Sequence, residues 1–352
     1  MSRIHVLHEN PAWLPPLAAA FDARGLPWTE WLLDEGVFDL SAPPPRGVFY
    51  NRMSASSHTR GHRFSAEFTA GVLAWLAGRG RRVVNGPNAL DLEISKVRQY
   101  AALEAAGVAT PRTVLVVGRG RIGAAAQEAF PSGPVILKPN RGGKGLGVQL
   151  FEGASALASH VASDAYVDPV DGLMLLQEYV VAPEPVITRA EFVGGRFLYA
   201  VEVDTSDGFE LCPADVCAVP ATRPKFRVVD GINAGLQAKL GRFLARSGID
   251  VAGIEFITGV DGRTLAYDVN TNTNYNPEAE QADDRSGTTR SGPGALAALL
   301  GAELKRLYRL AEGRRARPGW HNSERARRLD GSGGRASSPY GATVIRPFIV
   351  GW

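Results

Sequence analysis

Cysteine is scarce in this 352-residue sequence, which contains only Cys212 and Cys217. Two cysteines give no disulfide framework, so a reducing, cytoplasmic location is expected. No apolar stretch approaches the roughly 18 residues of a membrane-spanning helix, and no membrane partner is expected. Residues 1–24 also lack the basic and then apolar layout of a signal peptide.

Lysine is also rare, since only six of the 39 basic residues are lysine and the others are arginine. A lysine in a special context therefore indicates that the chemistry needs an ammonium group. The hydrophobic share of 45% and the charged share of 21% are ordinary globular values, which excludes disorder throughout the chain. The length favours about two to three domains.

The formal net charge of +3 is unevenly distributed along the chain. Residues 305–335 hold ten basic and only three acidic residues, so the rest of the chain is slightly acidic. Residues 311–340 are rich in Arg, Gly, Ser and Pro, which predicts a flexible tail, and the apolar stretch 343–352 follows. The arginines lack regular aromatic interleaving, so nucleic acid is not the expected partner.

The first 86 residues alternate between short apolar runs and segments of helical periodicity. The predicted strands cover residues 3–8, 46–52 and 82–85, and the predicted helices cover 13–24 and 64–77. Alternation of this kind is typical of a small parallel α/β unit.

A GxGxxG motif formed by Gly118, Gly120 and Gly123 follows a predicted strand and precedes a predicted helix. That context is required of a dinucleotide-binding fingerprint. Two features argue against this function. The next strand ends in Lys138, where an acid should bind the ribose, and the unit lies in the middle of the chain. A glycine-rich turn is favoured.

A second glycine-rich segment contains residues that could bind phosphate. The predicted strand 134–139 contains Lys138, and the loop from Arg141 to Gly147 follows it. Glycines let backbone N–H groups close over phosphates, and a lysine at a strand end neutralises their charge. The alternative is a hairpin with a surface lysine. The later strand 175–180 could line an adenine slot, or it could be an ordinary core strand.

Three oxygen-bearing side chains occur on a predicted hairpin formed by residues 251–258 and 264–269. Asp268 and Asn270 are two residues apart and point to one face, and Glu255 lies on the adjacent strand. Such a set suits Mg²⁺, which prefers carboxylates together with substrate phosphates. Because buried acids are costly without a partner, a metal explains them better than the alternative, a solvated sheet face.

The order of these motifs over residues 86–300 resembles the ATP-grasp superfamily, and it is most similar to the carboxylate–amine ligases of the RimK and glutathione synthetase type. The resemblance implies an α/β and α+β fold. A Rossmann-like pre-ATP-grasp domain would occupy residues 1–86, and a two-subdomain ATP-grasp fold would follow, with ATP between the subdomains. Its central lid subdomain with a linker helix would cover 87–182, its C-terminal subdomain 183–310, and the tail 311–352.

The resemblance also implies a role for each motif. ATP-phosphate contacts are expected from Lys96, Lys138, Arg141, Gly142, Gly143, Lys144, Gly145 and Gly147. Adenine and ribose contacts are expected from Gln177, Glu178, Tyr179, Val180 and Glu184. The Mg²⁺ ligands would be Glu255, Asp268 and Asn270, with two ions expected and Mn²⁺ as an alternative. The catalytic residues would be Arg189, Lys138 and Asn270.

Two departures from the family pattern concern the substrates. Ile187 stands where the family carries an acid before its arginine. Residues 207–217 differ from the Arg-Ser-Asn segment of RimK-like ligases. This second difference does not favour the glutamate-adding activity of those ligases. Substrate contacts are predicted at the end of the strand 46–52 and in the polar run after Asn270. These residues are Asn51, Arg52, Ser54, Asn272 and Asn274, and the alternative for the first three is an ordinary polar loop.

The resemblance implies an ATP- and Mg²⁺-dependent ligase that activates a carboxylate as an acyl phosphate and joins it to an amine. The partners would be small-molecule or peptide substrates, and a homo-oligomer is compatible with the family. Two alternatives remain open at this point. One is a phosphotransferase on the same fold, and the other is a non-catalytic ATP-binding module whose basic tail binds nucleic acid or protein. The intact set of Glu255, Asp268 and Asn270 argues against the module.

Overall fold

The computed structural model describes residues 2–143, 145–206 and 225–315, with side chains described as far as residue 310. Lys144, the segment that contains both cysteines, and the tail beyond Arg315 with its apolar end lie outside the described residues. Residues Met1–Ala311 form one compact unit, and Glu312–Trp352 are a second. Within the described ranges, no helix is both long enough and apolar enough to cross a membrane.

The first sheet is parallel and confirms the prediction of an α/β unit at the start of the chain. Its strand order is β2-β1-β3-β4. The strands are β1 (Arg3–His8), β2 (Trp28–Leu32), β3 (Gly47–Asn51) and β4 (Arg82–Val84), and the helices between them are α1 (Pro15–Asp22) and α2 (Ser65–Gly78). The edge strand β2 was not predicted, because Thr29 and Glu30 interrupt its apolar residues and only its pairing with β1 defines it.

The last described helix, α9 (Gly292–Arg315), packs on this first sheet although it is distant in sequence. Leu296, Leu300 and Leu304 follow one face of the helix and share a hydrophobic core with Ile4 of β1. The helix continues past residue 310, so the first residues of the predicted tail are helical.

The second sheet is antiparallel, with the order β5-β8-β6-β7. Its strands are β5 (Thr113–Val117), β6 (Val135–Pro139), β7 (Gln149–Phe151) and β8 (Leu173–Glu178). The helices α3 (Pro87–Glu93) and α4 (Lys96–Ala105) precede it, and α5 (Ile122–Ala129) and α6 (Ala154–Ala162) pack on it. The GxGxxG motif forms the turn between β5 and α5. Because β8 separates β5 from β6 and is antiparallel to both, this is not the parallel sheet of a dinucleotide-binding domain.

The third sheet is also antiparallel, with the order β11-β10-β9-β12-β13. Its strands are β9 (Val186–Val193), β10 (Arg196–Asp204), β11 (Phe226–Val229), β12 (Val251–Thr258) and β13 (Thr264–Asn270), accompanied by α7 (Ala234–Ser247) and α8 (Pro277–Ala282). β9 and β10 form one hairpin, and the predicted hairpin of residues 251–258 and 264–269 is confirmed as β12 and β13. Gly194 and Gly195 form the turn of the first with φ of +62° and +70°, the left-handed conformation that a two-residue turn requires.

Asn85, which directly follows β4, connects the first sheet to the third. Its side-chain amide donates to the carbonyl oxygens of Val251 at 2.8 Å and Thr271 at 2.7 Å. Its amide oxygen accepts from the backbone N–H groups of Asp250 at 3.1 Å and Val251 at 3.0 Å. The residue is fully buried with φ of +56°, a conformation that Asn tolerates better than most residues.

Candidate active site

A cavity of about 750 Å³ is lined by residues from the second and third sheets and by the loop after β3. Lys138 and Gln177 come from the second sheet, and Arg189 and Glu255 come from the third. The volume lies within the range of about 300–1,000 Å³ that is typical of small-molecule sites. The cavity therefore brings together segments that the sequence places more than a hundred residues apart.

The predicted metal-ligand set lies on one wall of this cavity. Glu255 of β12 is directly opposite Asp268 of β13, and Asn270 is opposite Gly253. The three oxygen-bearing residues all line the cavity, and the Asn270 amide nitrogen lies 3.5 Å from Glu255 Oε1. Burial, followed by the nearby Asp268 carboxylate, raises the pKa of Glu255 to about 7. Two carboxylates held this close repel one another, and a cation relieves the repulsion.

The protein side chains alone supply only part of the ligand shell that Mg²⁺ requires. Among the described side chains, no cluster of three His, Cys, Asp or Glu residues could hold a metal ion. The set contains two carboxylates, Glu255 and Asp268, with the amide oxygen of Asn270. Mg²⁺ commonly takes one or two carboxylates and completes its shell with water and substrate phosphates. The donor set therefore fits a metal that arrives with a nucleotide.

Two lysines face the acidic wall. Lys96, the first residue of α4, places its Nζ 2.5 Å from Asp268 Oδ1. Lys138 of β6 is only 4% exposed, and its Nζ lies 5.4 Å from the centroid of the Tyr100 ring. Burial, and then the charge of Lys96, lowers the pKa of Lys138 to about 7. A phosphate group in the cavity would restore the charged form of Lys138.

Arg189 of β9 lies between two carboxylates. Its Nε is 2.8 Å from Glu191 Oε1, and its Nη1 is 3.6 Å from Glu255 Oε1. Gly253 on the neighbouring strand leaves the space for this side chain, because a Cβ there would lie 2.5 Å from Arg189 Nε. Glu191 lines the cavity but was not predicted. A charged residue two positions after Arg189, on the same face of a largely apolar strand, was the signal that could have identified it.

The predicted adenine segment lies at another part of the cavity. Gln177 uses its side-chain amide to donate to Tyr100 Oη at 3.2 Å and Thr113 Oγ1 at 2.8 Å. Glu178 accepts from the backbone N–H of Arg112 at 2.8 Å. All five predicted residues of this segment line the cavity, namely Gln177, Glu178, Tyr179, Val180 and Glu184. Since the first two side chains already have partners, the backbone of the segment is the better candidate for contacts with a base.

The glycine-rich loop contributes only part of its predicted set to the cavity wall. Gly142, Gly143 and Gly145 line the cavity, whereas Arg141 and Gly147 are not among its lining residues. Arg141 is buried and donates from Nη1 to Glu67 Oε1 of α2 at 2.6 Å. This contact connects the loop to the first sheet's helix layer.

The predicted substrate residues divide into two groups. Ser54, Asn272 and Asn274 line the cavity, but Asn51 and Arg52 do not. The Asn51 amide donates to the Asn85 carbonyl oxygen at 3.1 Å and accepts from the Met53 N–H at 3.0 Å. Both ends of this side chain therefore bind backbone groups, one after β4 and one in the loop after β3, and neither is left for a substrate.

Comparison with known proteins places this arrangement in context. No family model matches the chain. Beta-citrylglutamate synthase B of Danio rerio is 28% identical over 206 residues, which are 58% of this chain and 48% of that protein. The chain thus spans about half the length of the curated relative that it matches.

Two solved structures are similar over most of the chain. The RimK domain ATP-grasp protein from Sphaerobacter thermophilus DSM 20745 superposes with a TM-score of 0.59 at 19% identity, covering 85% of this chain and 99% of that one. The ATP-grasp ligase PsnB, complexed with a minimal precursor, Mg and ADP, gives a TM-score of 0.58 at 16% identity, covering 86% and 97%. The chain therefore has the ATP-grasp fold.

Proposed function

We propose that this chain is an ATP- and Mg²⁺-dependent ligase that joins a carboxylate to an amine. The proposal is based on the presence of an acidic pair and three cationic side chains in one cavity. Glu255 and Asp268 lie on one side, and the cations Lys96, Lys138 and Arg189 surround them. A cavity that holds both a metal-binding acid pair and several buried cations suits a polyphosphate with its metal.

The reaction would proceed in two steps. An oxygen of the substrate carboxylate forms a bond to the γ-phosphorus of ATP while the bond from that phosphorus to ADP breaks. The amine nitrogen then attacks the acyl carbon, the C–O bond to phosphate breaks, and the amine proton is released. The products are an amide, ADP and phosphate. Nearly all of the protein's contribution is positioning and charge neutralisation.

Each proposed residue has a defined part in these steps. Lys96, Lys138 and Arg189 would neutralise the phosphoryl oxygens as negative charge moves between them. Glu255, Asp268 and Asn270 would hold Mg²⁺, which would supply positive charge to neutralise the phosphate oxygens. Substitution of Lys138 tests the first of these roles, and substitution of Asp268 tests the second.

Water must be kept away from an acyl phosphate, which it would hydrolyse. The glycine-rich loop lies across one side of the cavity, and Gly143 is so close to Ser56 that a Cβ at position 143 would lie 3.5 Å from Ser56 Cβ. The loop and the segment after β3 would together cover the reacting groups.

The comparisons bear on the substrates as well. One similar structure is a ligase complexed with a minimal precursor, and the curated relative is a citrylglutamate synthase. Amino acids, short peptides and small polycarboxylates are therefore the acid and amine classes to examine first.

The test is coupled ADP-release screening of acid and amine pairs, with mass spectrometry of the product. We expect Mg²⁺-dependent ADP release that requires both partners and yields an amide. Lys138→Met should abolish release, whereas Lys239→Met, on α7 and outside the cavity-lining set, should not. A stable phosphorylated acid without amide would instead identify a phosphotransferase. Full turnover by Lys138→Met would contradict the proposed site.

A further inference from the structure

The four residues after β13 continue the two-residue alternation of the strand. Thr271 and Thr273 are 1% and 0% exposed, whereas Asn272 and Asn274 line the cavity. Asn270, the last residue of β13, lines the same cavity. Because side chains alternate along an extended chain, the amides of Asn270, Asn272 and Asn274 follow one another along one wall of the cavity. The first of them belongs to the metal-ligand set.

This segment is fixed from two sides by buried carboxylates. Glu93 of α3 accepts from the backbone N–H of Thr271 at 2.6 Å and of Asn272 at 3.4 Å. Glu191 Oε2 accepts from Thr273 Oγ1 at 2.8 Å. A backbone held in this way presents its side chains in one arrangement, so a ligand would not have to order them.

Arg52 fixes the orientation of the two amides. Its Nε donates to Asn272 Oδ1 at 3.1 Å, and its Nη2 donates to Asn274 Oδ1 at 2.6 Å. A guanidinium has no acceptor, so each amide must turn its oxygen towards Arg52. Since Arg52 is not part of the cavity wall, the NH₂ group is the end of each amide that is left for the cavity.

The charge of Arg52 has no ionic partner in the described part of the chain. Its remaining hydrogen bonds go to the carbonyl oxygens of Trp13 at 2.8 Å and Thr273 at 3.5 Å. The two carboxylates near the segment are already engaged, since Glu191 pairs with Arg189 and Glu93 accepts backbone N–H groups. Arg52 is 5% exposed, and a buried cation without a counter-ion favours the arrival of an anion.

We propose that the amide nitrogens of Asn272 and Asn274 bind a carboxylate of the substrate, with Arg52 as the positioning residue behind them. The proposal rests on the proposed function and names the group that this wall recognises. The carboxylate could be the one that is activated, or a second one that the substrate carries. Both present the same chemistry, two oxygens that accept from two N–H donors.

The experiment uses glutarate, its monoamide and its diamide as probes, titrated by calorimetry into the full chain with ADP and Mg²⁺ present. We expect the two acids to bind and the neutral diamide not to bind. Asn272→Asp and Asn274→Asp replace a donor with a negative charge, so each should weaken binding of the acids about tenfold or more. Arg52→Lys keeps the charge but cannot span both amides, and it should also weaken the acids.

The control is Asn233→Asp, which adds the same charge at the N-cap of α7, where the side chain accepts from Leu236 N–H and an aspartate would do the same. It should leave the affinity for glutarate unchanged. ADP affinity, measured for every variant, separates a folding defect from loss of the carboxylate site.

Hydroxylamine offered as the amine distinguishes the two sources of the carboxylate. If the bound monoamide becomes a hydroxamate with ADP release, the amides hold the carboxylate that is activated. If only the diacid reacts, they hold the second one. Unchanged affinity for glutarate in both Asp variants, or no binding of either acid by wild-type protein that binds ADP, would overturn the proposal. Acid binding without hydroxamate from any probe would instead count against the proposed ligase reaction.

Discussion

The ammonium of Lys96 lies 2.5 Å from the carboxylate of Asp268 and joins the start of α4 to the end of β13. These residues are separated by 172 positions in the chain. The pair brings a predicted phosphate ligand, Lys96, and a predicted metal ligand, Asp268, into direct contact. Either side chain can exchange this contact for one with the nucleotide or its metal.

Asp268→Asn tests this arrangement, because it keeps the shape of the side chain and removes its charge. We expect a loss of ligase turnover of about 100-fold or more, the scale found when one preorganised electrostatic group is removed. Asp261→Asn, in the exposed turn of the same hairpin, serves as the matched control and should retain turnover. Equal rates for the two variants in the ADP-release assay would contradict a metal role for Asp268.

Glu93 should be the most costly single carboxylate to remove. Besides the N–H groups of Thr271 and Asn272, it accepts from Ala55 N–H at 3.2 Å, and therefore joins the loop after β3 to the loop after β13. Glu93→Ala leaves these buried donors without an acceptor, which should lower the free energy of unfolding by about 3–5 kcal/mol.

Glu93→Gln retains one acceptor oxygen and should lie between wild type and the alanine variant. Denaturant titration of wild type and the two variants measures their free energies of unfolding. A Glu93→Ala variant as stable as wild type would show that these donors find other acceptors.

Asn85 combines a left-handed backbone with four side-chain hydrogen bonds. Both Asn85→Ala and Asn85→Gly lose the hydrogen bonds, but only alanine has a Cβ that the φ of +56° disfavours. We therefore expect the glycine variant to be more stable than the alanine variant by about 1 kcal/mol, the reverse of the usual order. Thermal unfolding of both variants checks the order, and a more stable alanine variant would argue that the backbone relaxes.

His5 should make the fold sensitive to mild acid. Burial lowers the pKa of His5 from its ordinary value of 6.5, so the unfolded chain takes up a proton at a higher pH than the folded one. Stability is therefore lost as the pH falls below 6.5. Burial lowers the pKa of His8 on the same strand too, and both residues contribute in the same direction.

His5→Phe should flatten this dependence without removing it. The ring of His5 stacks on Phe49 with centroids 4.6 Å apart, and a phenyl ring can occupy the same place. The measurement is the free energy of unfolding of both proteins at several pH values from about 7.5 to 5. Parallel profiles for the variant and wild type would show that His5 does not contribute to the acid sensitivity.

The local sequence was most informative on the strands β6, β12 and β13. The alternation of side chains placed Asp268 and Asn270 on one face, and the hairpin then put Glu255 opposite Asp268. The same reasoning placed Lys138 near the end of β6, next to the glycine-rich loop. These predictions needed only the geometry of neighbouring residues.

Other parts of the site follow no local rule. Glu93 was not predicted, because a single acid at the end of a short helix has no distinctive pattern, and Glu191 was missed although it follows Arg189 on the same face of its strand. Asn51 was predicted to contact substrate, yet its amide holds the backbone of Asn85. A polar residue at a strand end can face either a ligand or the neighbouring backbone, and the chain packed around it decides which.

The sequence by itself determined most of the strands and helices and the residue types that suit a metal nucleotide. Strand alternation and helical periodicity depend on residues a few positions apart, and the order of residues in the chain contains that information. Only the tertiary structure decided that α9 covers the first sheet, that Lys96 reaches Asp268 and that Arg52 orients Asn272 and Asn274. Those contacts join residues more than 170 positions apart, and their energy comes from burial and charge that exist only once the sheets have packed.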